Sequence, residues 1–456
     1  MDPETVKKRQ ALKVIITDSL MTLAAVALVG FLVLTVSGYW INENFEVTRS
    51  GMLQVSSMPT GATVTVDGGS LPQRTNTSRV VPVGEHQITI EKEGYDTWSK
   101  TVEVKDGLLY RLKYPRLFPN DREAEKVPVE LDAKYISVSP KHDLALLVKE
   151  SGKWSLVNLE EDKISPKTLD FSEIFSGGLS GDIVSFKWSH DQNRVLMNLR
   201  TNAETTTWLL LNLNDVKKSI NLSETFGVGF SEINSLNNSA DNLFALRNHN
   251  LQRIDINNKS ISAILAEGVE KYYRFGEDIV FTAKNDDGAY IGLLKPNNDQ
   301  VEKVHNIESA QANVLMSRFY DNKYLTVVDN HKVLVFKGDN LDEAEYVFDI
   351  SFEPTTIKAG RDGDFVVMAN GNSVATLDME AEKLLEWQIE VPNFHWLDDN
   401  MLYIILDGQL VVYDFDGFNR RALANGVREE YPVTIAGEKW LYYVSDNGLM
   451  RESLRK

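Results

Sequence analysis

From Leu20 to Val36 the chain runs through seventeen residues without a charge, and no polar face interrupts them. Extended to Ile41, the stretch holds about 22 residues, enough to cross about 30 Å of hydrocarbon at about 1.5 Å per residue. The pattern predicts a transmembrane helix over 14–41, with Tyr39 and Trp40 at the interfacial aromatic belt. Lys7, Lys8, Arg9 and Lys13 precede it against only Asp2 and Glu4, so residues 1–13 are expected to be a cytoplasmic tail and the rest to lie outside. A cleaved signal peptide fits less well. Its apolar core is shorter, about 7–15 residues, and ends in a small-x-small site, whereas the exit here is Ser37-Gly38-Tyr39-Trp40. A buried helix of a soluble domain would show a polar stripe.

Beyond residue 50 the period changes to two. Leu53–Val55, Thr63–Val66, His86–Ile90 and Thr101–Val104 alternate apolar and polar positions like half-buried strands. Asp67-Gly68-Gly69, Glu93-Gly94 and Asp106-Gly107 between them supply the positive φ of tight turns. Residues 51–114 therefore read as a small β-sandwich.

The residues Val55-Ser56-Ser57-Met58-Pro59-Thr60-Gly61-Ala62-Thr63-Val64-Thr65-Val66-Asp67-Gly68 carry a resemblance to the PEGA domain, as do Val83-Gly84-Glu85-His86 and Glu93-Gly94-Tyr95. The tetrad that names the family reads Pro59-Thr60-Gly61-Ala62, with Thr where Glu is usual. The resemblance implies a transthyretin-like or immunoglobulin-like sandwich, a bacterial cell-envelope setting and no catalysis. His86 is a lone histidine on a strand, which suits a structural role.

From about residue 133 an apolar strand recurs, starting at 144, 195, 243, 279, 324, 365, 402 and 440, which gives units of about 42 residues. Polar Asn/Asp/Gly turns and a further apolar strand follow each marker, as in Leu410–Phe415 after Leu402–Leu406. Four short strands with their turns need that length, which is a propeller blade, and no helical period appears. Residues 115–456 are thus expected to form a β-propeller, with eight blades favoured and seven possible. The last unit has room for three strands, so residues near 126–131 are expected to supply its fourth and close the ring. Ser139-Pro140-Lys141-His142-Asp143 and Trp188-Ser189-His190-Asp191 resemble the turns of WD40-like propellers of the TolB class. The fold class is mainly β, with one N-terminal helix.

Charge and chemistry narrow the function. The formal charge is −18 and pI is about 5.0, which excludes the basic footprint of a nucleic-acid binder. Residues 51–114 are neutral, with seven basic and seven acidic side chains, and 115–456 carry 36 against 54. The absence of cysteine excludes disulfides, thiolate metal sites and thiol nucleophiles. His86, His142, His190, His249, His305, His331 and His395 form no ligand pair at short spacing, and His142 and His190 read as repeated turn residues. Asp414-x-Asp416-Gly417 has two carboxylates of a calcium loop, but Asn425 stands where the bidentate Glu is needed. Gly177-Gly178-Leu179-Ser180-Gly181 falls short of a nucleophile elbow. No catalytic, cofactor or metal residue is assigned, and no cofactor is expected.

The candidate binding residues are aromatics near first strands: Tyr272, Tyr273, Phe319, Tyr320, Phe394 and Trp396, with Phe275 and His395 beside them. They read either as a rim or channel face or as packing between blades. The expectation is a single-pass, membrane-anchored bacterial cell-surface protein, held by Leu20 to Val36, whose propeller is a platform for an envelope protein or polymer. A surface glycan hydrolase or lyase acting at the propeller axis is one alternative. A structural subunit of an envelope or secretion assembly is the other. Oligomeric state is not legible.

Overall fold

The computed structural model describes residues 3–36, 39–41, 47–174, 181–200, 206–234, 242–275, 278–295, 299–338, 341–360 and 363–456. The chain divides into two compact units: Met1–Asp121 with Arg455–Lys456, and Arg122–Leu454.

In the first unit, α1 runs Pro3–Val36. Its segment Lys13–Val33 has a mean hydropathy of 2.1 and no buried side chain, and is long and apolar enough to span a membrane. The helix begins inside the basic segment and stops short of Ile41. Tyr39–Ile41, aromatic and β-branched, pairs instead as an antiparallel strand with Val47–Arg49. The side chains of Tyr39 and Trp40 lie outside the described residues.

The sandwich follows. One sheet sets Val47–Val55 antiparallel to Thr77–Pro82 and parallel to Leu109–Leu112. The other has the order Gly69–Ser70, Thr63–Val66, Gly84–Glu91, Trp98–Val104. Alternation positions each strand: in Gly84–Glu91 the residues His86, Ile88 and Ile90 are buried, and Glu85, Gln87 and Glu91 are exposed. Leu53, Val55, Val64, Trp98, Val104 and Leu112 complete a core of 0–1% exposure.

Among the described residues of the second unit, eight four-stranded antiparallel sheets follow one another along the chain. Their first strands are Tyr135–Val138, Asp182–Trp188, Glu232–Asn234, Val269–Phe275, Asn313–Phe319, Thr356–Ala359, His395–Trp396 and Thr434–Ala436. First strands of consecutive sheets pack on one another, as Asn313–Phe319 does on both Val269–Phe275 and Thr356–Ala359, and so form the inner wall of a propeller. The eight sheets are its blades, numbered 1 to 8 in chain order. Second strands are buried on both faces. In blade 2, Val195, Met197 and Leu199 pack toward blade 1 and Leu196 packs toward blade 3. That two-sided burial makes them continuous apolar runs.

The ring closes through the N-terminal end of the unit. Ala124–Lys126 pairs antiparallel with Gly448–Ser453, matching Met450 to Lys126 and Glu452 to Ala124, and the Val127 amide donates to the Leu449 carbonyl at 2.8 Å. The closing strand is thus 124–127, and of the expected 126–131 only Lys126 and Val127 take part. Val129 turns back on Val127 through a 2.8 Å backbone bond. A buried ion pair locks the seam: Arg122 Nε lies 3.1 Å from Glu452 Oε2, and Tyr443 donates to Glu452 Oε1 at 2.8 Å.

Candidate binding site at the propeller axis

Polar links run from blade to blade along the inner strands. Trp188 Nε1 of blade 2 donates to Ser137 Oγ of blade 1 at 2.8 Å. Lys187 donates to Asn234 Oδ1 of blade 3 and lies 3.6 Å from Glu232, and Asn234 in turn donates to the Tyr272 carbonyl of blade 4 at 3.4 Å. Lys271 of blade 4 donates to Asn313 Oδ1 of blade 5 at 2.9 Å, and Asn313 passes the link to the Pro354 carbonyl at 3.1 Å. Burial lowers the pKa of Lys187 and of Lys271, and Glu232 opposes both shifts.

Blades 6 and 7 differ. The inner strand of blade 6 carries Lys358, whose neighbours Ile357 and Ala359 pack back toward blade 5, so Lys358 faces blade 7. Its Nζ lies 5.8 Å from the centroid of the Phe394 ring, and burial lowers its pKa with no carboxylate opposing. His395 of blade 7 stacks on Tyr403 with ring centroids 5.3 Å apart, and its Nε2 lies 3.1 Å from Asn393 Oδ1. Desolvation and then the charge of Lys358 push His395 down to about 4, with Glu429 opposing.

The aromatics singled out in the sequence fall at different depths. Tyr272 is buried between blades 3 and 4 and donates to the Phe244 carbonyl at 2.6 Å. Tyr273 is half-buried against the cores that flank blade 5. Phe319 is buried between blades 5 and 6 and Phe394 between blades 6 and 7. Trp396 is half-buried in that second interface, with its Nε1 buried and unpartnered. Tyr320 is 59% exposed on the turn after the first strand of blade 5, its ring 4.4 Å from Phe319. The side chain of Phe275 lies outside the described residues.

The sequence pattern overlooked the inner-strand lysines. Their signal was available: Lys187, Lys271 and Lys358 each stand on the first strand of every second blade.

The remaining motifs are structural. His142 has φ +61° and its amide bonds back to the Ser139 carbonyl; the residue at the same place in the next blade is Gln192, at φ +59° and bonded to Ser189. The histidines 142 and 190 are therefore not equivalent. Asp414 and Asp416 are buried in a hairpin, where Asn419 donates to Asp414 at 2.8 Å. Gly417, at φ +83°, passes so close to Trp387 that a Cβ would sit 2.6 Å from the ring. No group of three or more metal-ligating side chains occurs among the described residues. Of the glycine-rich run, residues 177–180 lie outside them.

Comparison with known proteins bears on the first unit. The family model of the PEGA domain matches residues 50–116. The chain matches no curated protein in sequence. Among solved structures it resembles the C-terminal WD40 domain of Sif2, with 13% identity and a TM-score of 0.47 over 73% of this chain and 98% of that one. The Cps50 (Swd1) β-propeller domain of Myceliophteria thermophila gives 12% identity and 0.43 over 74% and 100%. Dihydro-heme d1 dehydrogenase NirN gives 12% and 0.44 over 64% of this chain and 66% of its own length. The chain contains a PEGA domain followed by a β-propeller.

Proposed function

We propose that this is a single-pass membrane protein of the bacterial cell envelope, its N-terminus cytoplasmic, whose propeller is a binding platform for a basic surface of an envelope protein. The observation that carries the reading is the order of parts: a bare apolar helix behind a basic segment, a PEGA domain, then a closed ring. Charge supports the choice of partner. The turns after second strands and the loops between blades meet at one rim, where Glu150, Glu267, Glu308, Glu353, Glu429 and Asp446 are exposed. Three cations of this rim, Lys149, Lys134 and Arg428, are paired to Asp132, Glu150 and Glu430. Such a surface favours basic partners and repels anionic glycopolymers.

The cysteine-free sequence makes topology testable. A single cysteine at Tyr320 is expected to react with a membrane-impermeant maleimide on spheroplasts, and one at Lys8 only after permeabilisation. The reverse pattern overturns the orientation. Cross-linking of the full chain in cells is expected to capture a basic envelope protein, weakened by salt and by Glu→Gln changes at the rim. Capture indifferent to both removes the electrostatic reading.

A further inference from the structure

We propose that one end of the PEGA sandwich is a shallow membrane contact, which sets Met52, Val83, Leu108 and Leu109 into the lipid interface beside the end of α1.

These four residues form an apolar cluster that the fold leaves in solvent, each 40–58% exposed. Within the sheet of Val47–Val55, Met52 stands opposite Val80 on one side and Leu109 on the other. Leu53 and Val55 turn into the core, so by strand alternation Met52, Val80 and Leu109 share the outer face. The Leu108 carbonyl accepts from the Met52 amide at 2.9 Å. The Val83 amide donates to the Arg49 carbonyl at 3.1 Å, and the Gly107 amide to that of Ser50 at 2.9 Å. The turns 82–84 and 106–108 are thus bonded to the start of one strand. Among the described residues, no large hydrophobic side chain is exposed at the other end of the sandwich, and those of the second unit, such as Val347 and Phe418, are spread over several blades. A contiguous exposed patch of this kind marks an interaction surface.

What lies next to this end names the occupant, and here the inference rests on the reading of α1 as a membrane span. Lys13–Val33 covers about 30 Å of hydrocarbon at about 1.5 Å per residue. Tyr39 follows the last residue of α1 after two positions, at the level of the headgroups, and pairs with Arg49. The strand end that holds both turns therefore lies at that level too. Apolar side chains there leave water by entering the interface, as the apolar face of an interfacial helix does. Charge does not select this surface. Arg49 and Lys105 are offset by Glu85, Glu103 and Asp106, and Arg49 lies 3.3 Å from Asp106. The contact is apolar and forms on neutral and anionic lipid alike. As a second attachment beside α1, it fixes how the sandwich is oriented to the bilayer.

The cysteine-free chain makes the contact measurable. Val83→Cys, Leu108→Cys, Thr97→Cys and Leu28→Cys are each labelled with an environment-sensitive fluorophore. The full chain is reconstituted in phosphatidylcholine vesicles, with and without lipid that carries a spin-label quencher high on its acyl chain. Quenching at 83 and 108 is expected to exceed that at 97 severalfold. Thr97 is exposed just before Trp98, at the end of its strand away from Gly84. Leu28 lies within α1 and reports the span itself. Quenching at 83 is expected to fall about twofold when Leu108→Ser and Leu109→Ser are added, surface changes that spare the core. Quenching at 83 and 108 no greater than at 97, with 28 quenched, overturns the contact and leaves the span standing. An unquenched label at 28 overturns the span and the contact with it. Quenching at 83 that needs added phosphatidylglycerol, or that ignores the serine pair, also overturns the apolar contact.

Discussion

Two histidines show how far a side chain's surroundings decide its role. His86 is buried in the sandwich, its Nδ1 2.6 Å from Asp67 Oδ2 and its Nε2 2.7 Å from the Pro82 carbonyl. It ties the turn at Asp67, which has φ +50°, to the strand end at Pro82. Replacing His86 by Ala is expected to cost about 1–3 kcal/mol, seen as a lower midpoint of the sandwich transition in urea with the propeller transition unmoved. His395 works in the opposite sense. The folded chain holds it neutral down to about pH 4, whereas the unfolded ring takes up its proton near the ordinary value of 6.5. The unfolded state therefore binds more protons between those values, and stability falls as pH drops from about 6.5 to about 4. His395→Gln is expected to flatten that part of the profile in thermal melts at constant ionic strength. An unchanged slope would assign the acid sensitivity to other groups.

Blades are held by what their middle strands bury. Third strands pack nearly as tightly as second strands, and in blade 4 Gly292 pairs directly across from Phe281. A Cβ at Gly292 would sit 2.2 Å from that ring, so the glycine is required by close approach and not by its backbone angle. Gly292→Ala is expected to destabilise the propeller by about 1–3 kcal/mol through overpacking, and Phe281→Leu in the same chain should recover part of it. Additive costs in that double-mutant cycle would show that the two positions do not meet. The outer strands contrast with this. In Gln300–Ile307 the first four side chains, Val301 among them, are exposed, so no continuous apolar run marks the strand.

The molecule as a whole depends on one seam. Blade 8 takes three strands from the C-terminal end and one from Ala124–Lys126, and Arg122 and Glu452 pair beneath it at 14% and 7% exposure. Removing one partner leaves the other charge buried, and Glu452→Ala is expected to cost about 3–5 kcal/mol. Because the lost strand would expose both ring edges, the variant should also broaden the unfolding transition and open the blade 8 amides to hydrogen exchange first. Protection lost equally in all blades would mean that closure is not the weak point.

The sequence alone determined what depends on local periodicity. An uninterrupted apolar run marked α1, alternation with Asp-Gly turns marked the sandwich, and two-sided burial made eight second strands conspicuous. The ends of elements were less legible: Tyr39–Ile41 left the helix for a strand, and the closing strand began at 124, because pairing partners far along the chain set those limits. Tertiary structure alone decided the axis. Whether Lys187 and Lys271 find an acceptor depends on a residue of the next blade, about 40–50 positions away along the chain. Burial likewise split the candidate aromatics, placing Phe319 and Phe394 in the blade interfaces and leaving Tyr320 in solvent. Periodicity is written in neighbours along the chain; unmet donors appear only when distant strands are brought side by side.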